Sequence, residues 1–325
     1  TPVVLVVASS REAEDTVNAL RSWYGGDPND IAQLEAWETL PHERLSPRAD
    51  TVASRMAVFR RLTHPSDTNP MFGPIRILVM PVRSLIQPVV KGLGDVDPLV
   101  FTQGEELPLD DVSRRLVENA YTRVDLVMDR GEFAVRGGII DVFPPTAPHP
   151  VRIEFWDDEV DSIRSFDAES QRSIENLEEI TIYPASELIL TEDTIARGVK
   201  AIKKEAKAQS TKFRDKMMTE EAARIRHAAE EICDQIGEGE ILQGAEQYLH
   251  YFYPETVSFL EYLPENSRIF LDEPNRIIEC ADALEAEFQE SVSHRLEKGY
   301  LLPGQAKLMC STAELVAKLN RRGCV

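Results

Sequence analysis

The residues best placed to act on another molecule are Arg136, Arg152 and Trp156. Arg152 and Trp156 sit four apart in the run Val151–Trp156, where alternation sends Val151, Ile153 and Phe155 to one face and Arg152, Glu154 and Trp156 to the other. Arg136 lies in the preceding strand-like run. An arginine offers a planar fork that grips a carboxylate with two hydrogen bonds. Tryptophan and arginine dominate the energetics of protein interfaces. The competing structural reading packs Trp156 on a neighbouring turn and pairs Arg152 with Glu154 or Asp158.

Other chemistries find less support. A phosphate loop, GxxxxGK[ST], needs glycines for close backbone approach and a lysine for the phosphates. No glycine in the chain is followed by lysine, and the first strand, Val3–Ala8, runs into Ser9-Ser10-Arg11-Glu12, which puts an acid where phosphate would sit. Asp272-Glu273, after the strand Ile269–Leu271, has the form of a magnesium-binding pair. Without a phosphate loop it reads as a capped strand-to-helix turn before Pro274. His42-Glu43 lacks the second histidine of a zinc-protease helix. Cys233, Cys280, Cys310 and Cys324 form no CxxC pair and have no histidine at zinc spacing. Reduced thiols are expected, with no catalytic residue, no metal and no cofactor.

These side chains need a scaffold, and 325 residues suffice for two or three domains. The hydrophobic share of 42% is that of a soluble globular chain, and the longest apolar runs are too short to span a bilayer. A cytoplasmic protein without membrane contact is expected. No secretory signal opens the sequence. The first residues already read as a core strand, so the chain is expected to begin inside a longer one. Net charge is −20, divided as −2 over residues 1–100, −12 over 101–190 and −6 over 191–325. Nucleic-acid binders carry basic patches, so weak or no nucleic-acid binding is expected, and an acidic surface favours a basic protein partner.

Strand–helix–strand alternation over 1–100 (Val3–Ala8, Glu12–Trp23, Thr51–Leu62, Ile75–Met80, then Ser84–Val90) predicts a parallel α/β sheet. Residues 101–185 change to short strands and turns: Val124–Met128, Glu132–Phe143 with a bulge at Gly137-Gly138, Val151–Trp156, Val160–Phe166, and Ile180–Tyr183 closing the set. This reads as an antiparallel meander inserted into an α/β protein. Glu192–Ile236 is helical and charged, ended by Gly237 and Gly239. An aromatic stretch over 244–262, a strand Arg268–Leu271 and a helix Ile277–Arg295 follow. The expected division is 1–100, 101–185 and 186–325.

Gly131-Glu132-Phe133-Ala134-Val135-Arg136-Gly137-Gly138-Ile139-Ile140-Asp141-Val142-Phe143-Pro144 resembles the G-E-[FY]-x-x-R-G-x-x-[IL]-D-[IVL]-F-P signature shared by UvrB and transcription-repair coupling factors. Val151–Arg164 is similar to the continuation of that block, and Pro184-Ala185-Ser186-Glu187 to its exit. Weaker likeness covers Leu45-Ser46-Pro47 with Arg55, Tyr262-Leu263-Pro264-Glu265, and Leu271-Asp272-Glu273-Pro274. UvrB itself has a phosphate loop and an aromatic hairpin that threads into DNA. Here the loop is absent, and no tyrosine occurs between Tyr24 and Tyr121. The sequence therefore resembles the UvrB-like module of the coupling factors. That resemblance implies a degenerate P-loop-type α/β domain (1a over 1–100, 1b over 186–325) carrying a β-rich domain 2 over 101–185. It implies a non-catalytic adaptor that docks UvrA, with family contact positions at Arg136 and Arg152, and at Trp156, where the family often has Phe. It further implies contacts with other domains of a longer, ATP-driven translocase, and RNA polymerase contacts made only by those other parts. A nucleotide-dependent DNA-remodelling enzyme or an autoinhibitory module is the rival reading.

Overall fold

Val3–Val7 is apolar throughout because both of its faces are covered, as in parallel sheets sandwiched by helices. In chain order the first stretch runs β1 (Val3–Val7), α1 (Ser10–Trp23), β2 (Ile31–Gln33), α2 (Ala49–Thr63), β3 (Ile77–Pro81), α3 (Val82–Ile86) and β4 (Val89–Val90). The middle follows as β5 (Leu99–Thr102), α4 (Leu109–Glu118), β6 (Thr122–Arg123), β7 (Glu132–Arg136), β8 (Ile139–Val142), β9 (Val151–Trp156), β10 (Glu159–Phe166), β11 (Ser173–Leu177) and β12 (Glu179–Ile182). Then come α5 (Glu192–Asp215), α6 (Thr219–Gly237), α7 (Leu249–Phe252), β13 (Thr256–Val257), β14 (Arg268–Leu271), α8 (Pro274–Glu297) and α9 (Thr312–Arg322). The computed structural model describes residues 2–39, 45–66, 69, 72–237 and 244–324; His42, Glu43 and Gly239 lie outside them.

The chain divides into two compact units. One comprises residues 1–47, 58–94 and 191–325, the other 48–57 and 95–190. The first unit is built on a parallel sheet ordered β14-β1-β3-β2, as the strand–helix alternation implied. Val7, Ala13, Val17, Ile31 and Val79 pack the space between this sheet and α1. The aromatic stretch folds as short helical turns around the two-residue strand β13, and the rings of Phe259 and Tyr262 pack tilted against Phe59. The charged helical stretch forms two helices. Met217, in a left-handed conformation, turns α5 back onto α6.

The second unit holds a six-stranded sheet ordered β11-β10-β9-β8-β7-β6, antiparallel except for the β6–β7 pair. One face is the core: Phe133, Ile140, Val142, Val151, Ile153, Val160 and Ile163 pack with Val112 and Leu116 of α4 and with Leu99 and Phe101 of β5. Three expectations are corrected. Gly137-Gly138 is no bulge but the two-residue turn of the β7–β8 hairpin. Gly137 takes a positive φ of 60°, and a Cβ at position 138 would meet the Phe155 carbonyl oxygen at 2.9 Å. The Ile180–Tyr183 segment does not join the meander; β12 pairs with β5 in a separate two-stranded sheet. The run 124–128 is irregular, and an exposed strand, β11, forms the sheet edge instead.

Two residues of the flanking motifs meet inside this unit. Arg55 donates from Nε to Glu187 Oε1 at 2.5 Å and from Nη2 to Oε2 at 3.3 Å, with the side chains 0% and 2% exposed. A buried pair is costly to break, because the remaining charge stays out of water. Glu187→Ala should lower stability by about 3–5 kcal/mol, seen as a fall in the urea midpoint at unchanged slope. Glu118→Ala, at an exposed helical pair, should shift it by less than about 0.5 kcal/mol.

Candidate protein-binding site

The face of the six-stranded sheet opposite its core is polar. Register places Ala134, Asp141, Arg152 and Arg164 in one cross-strand row and Arg136, Ile139, Glu154 and Ser162 in the next. All three residues singled out in the sequence fall on this face, and Trp156 stands at the end of β9, 80% exposed. The tight β9–β10 turn through Asp157, at a φ of 59°, leaves the indole on no neighbouring turn large enough to bury it.

Asp141, 1% exposed, was not foreseen, and it organises the arginines. Arg152 donates to it twice, from Nε to Oδ1 at 2.6 Å and from Nη2 to Oδ2 at 2.8 Å. Arg136 Nη2 donates to the same Oδ2 at 3.0 Å. These bonds raise the Arg152 pKa above its ordinary value. The Arg152 guanidinium also lies 4.9 Å from the Phe166 ring centroid and donates to Gln171 Oε1 at 3.4 Å. The expectation of Arg152 as a freely exposed side chain is therefore corrected. It is 22% exposed and paired with Asp141, not with Glu154 or Asp158. Glu154 instead accepts from Arg164 and from Ser162 Oγ. Arg136 is the open member of the cluster, 51% exposed. One signal for Asp141 was present in the sequence: an aspartate between Ile140 and Val142 is unfavourable in a strand unless something holds it.

On this face Arg136, Arg152 and Arg164 lie among Asp141 and Glu154, with Glu132 at the start of β7 and Glu159 opposite Trp156. It can present guanidinium edges and an indole to a partner carrying carboxylates. Among the described residues no group of three or more histidines, cysteines or carboxylates could hold a metal, the cysteines are unpaired, and no helix is long and apolar enough to cross a membrane.

Many α/β proteins bind nucleotides at the carboxyl edge of the parallel sheet. Between β1 and α1 only Ala8 and Ser9 intervene. Ser9 Oγ accepts from the Glu12 backbone N–H, capping α1. Glu12 then accepts from Arg276, which also donates to Glu273 Oε2 at 3.3 Å. The Glu273 bond, first among several, raises the Arg276 pKa. The acidic turn after β14 is thus engaged by an arginine.

Residues 99–188 match the UvrB interaction domain. Over 279 residues, 85% of this chain, the sequence is 40% identical to the transcription-repair-coupling factor of Mycobacterium tuberculosis (strain CDC 1551 / Oshkosh). It is 34% identical over 98% of the chain to that of Bacillus subtilis (strain 168), and 31% over 82% to that of Escherichia coli (strain K12). The chain belongs with the transcription-repair-coupling factors. It spans only 21–26% of the length of these relatives. Among them it is a UvrB-like module, with the interaction domain coinciding with the strands that carry Arg136, Asp141, Arg152 and Trp156.

The pairing pattern ranks the arginines by stability. Arg152→Ala removes two bonds to a buried carboxylate and should cost about 2–3 kcal/mol. Arg136→Ala, at a half-exposed pair, should cost about 1 kcal/mol or less. Denaturant melts of the two variants check this; equal midpoints would show that Asp141 does not depend on Arg152.

Proposed function

We propose that this module is a non-catalytic adaptor of transcription-coupled repair that recruits UvrA through the Arg136–Arg152–Trp156 face. The observation that carries the reading is a largely exposed tryptophan on the same sheet face as arginines already held in place by Asp141. Side chains ordered before binding lose less entropy on association. Large exposed aromatics beside arginines are the residue types on which interfaces depend. The match to the UvrB interaction domain and the names of the relatives support a role in repair. The short β1–α1 turn and the Glu12–Arg276–Glu273 contacts support a carrier without its own nucleotide chemistry. The ATP-driven motor and the polymerase contacts belong, on this reading, to the longer chain.

Titrating UvrA against variants of the chain tests the proposal. Losing one member of a desolvated charged pair costs about 2–5 kcal/mol, roughly a 30- to 4,000-fold loss of affinity. Arg136→Ala should fall in that range with its melt nearly unchanged. Trp156→Ala should lose affinity comparably and Trp156→Phe only mildly. Wild-type affinity in both Arg136→Ala and Trp156→Ala would place the UvrA surface elsewhere.

A further inference from the structure

The outer face of α5 is lined with exposed basic residues in an otherwise acidic chain. Its inner face is fixed by Gly198, Ile202, Ala206, Ser210 and Phe213, all buried, and a Cβ at Gly198 would fall on the Phe252 ring. Glu205 also turns inward, accepting from the Tyr251 hydroxyl and from the Gly304 backbone N–H at 3.1 Å. That leaves the outer face to Arg197, Lys200, Lys204, Lys207 and Arg214, all exposed and three to four residues apart except where Thr211 intervenes, with exposed Asp193 and Asp215 at the two ends of the row. Lys203 and Lys212 flank the row. None of these seven forms an ion pair among the described residues, although the chain holds 56 carboxylates. Like charges three and four apart on a helix repel, so the row opposes its own helix unless something else neutralises it.

From this we infer that the outer face of α5 is a binding surface for the phosphate backbone of duplex DNA. The composition favours phosphate over protein. Lysine is depleted from protein interfaces, and no exposed aromatic interrupts the row to act as an anchor. Lysine as a point charge suits phosphates, whose neutralisation drives sequence-independent binding. The geometry favours duplex over single strand. The row from Arg197 to Arg214 is a straight edge of about 25 Å, the length of roughly seven base pairs, whereas single strands are held by aromatic stacking, which is missing. The net charge of −20 limits affinity without removing the local attraction, since screening confines charge effects to about 10 Å at ordinary salt. This surface is independent of the UvrA reading.

Anisotropy titrations of a short labelled duplex with the full chain, over a series of salt concentrations, test the inference. Binding should be non-specific, with Kd of about 10⁻⁴–10⁻⁶ M at physiological salt, and the log–log salt slope should be about −4. The triple variant Lys200→Gln/Lys204→Gln/Lys207→Gln should lose about tenfold or more in affinity and reduce the slope by about 2.7, while its circular dichroism stays helical. An unchanged slope in the triple variant overturns the inference. So does tighter binding to single-stranded DNA, or competition by polyglutamate as effective as duplex DNA at equal charge, which would mark an acidic protein as the partner.

Discussion

Asp141 carries a carboxylate that the sheet takes out of water, and such a group persists only when paired and hydrogen-bonded. It sits on β8, the strand that lies between the two arginine-bearing strands, so Arg136 from β7 and Arg152 from β9 both reach it. One residue thereby fixes two guanidiniums that have different exposures and different duties. Arg152 faces inward and holds the carboxylate along two bonds. Arg136 keeps half its surface in solvent and shares one oxygen. Trp156 stands at the end of β9 on the same face, beyond Glu154, and is largely exposed.

The same logic applies at a second place in the chain. At the carboxyl edge of the parallel sheet, a strand and a helix join through two residues, and the acids on either side converge on Arg276. The parallel sheet thus carries carboxylates and a guanidinium at its carboxyl edge. Charge is distributed with equal purpose on α5, where the acid Glu205 is turned in and the lysines out.

Much of the scaffold was legible. Val151–Trp156 and Arg268–Leu271 match their strands at both ends, because alternation or a continuous apolar run is bounded by clear turn residues. Alternation also put Arg136, Arg152 and Trp156 on one face, and the structure has them there. What the chain did not disclose depended on partners distant in sequence. Asp141 gains its meaning from Arg152, eleven residues on and across a hairpin, and Arg55 from Glu187, 132 residues away. Gly137-Gly138 looked like an interruption because a bulge and a two-residue turn have the same composition; the pairing of Arg136 with Ile139 across the two glycines distinguishes them. The split between α5 and α6 was hidden for a related reason. Met217 adopts a left-handed conformation that no glycine announces.

The most direct test of the orienting role of Asp141 is a double-mutant cycle for UvrA binding, combining Asp141→Asn with Arg136→Ala. If Asp141 positions the arginine for its partner, Asp141→Asn alone weakens binding, and adding Arg136→Ala costs much less than it does in the wild-type background, giving a coupling of about 0.5–3 kcal/mol. Strictly additive losses, or wild-type affinity in Asp141→Asn with an intact fold, would contradict it.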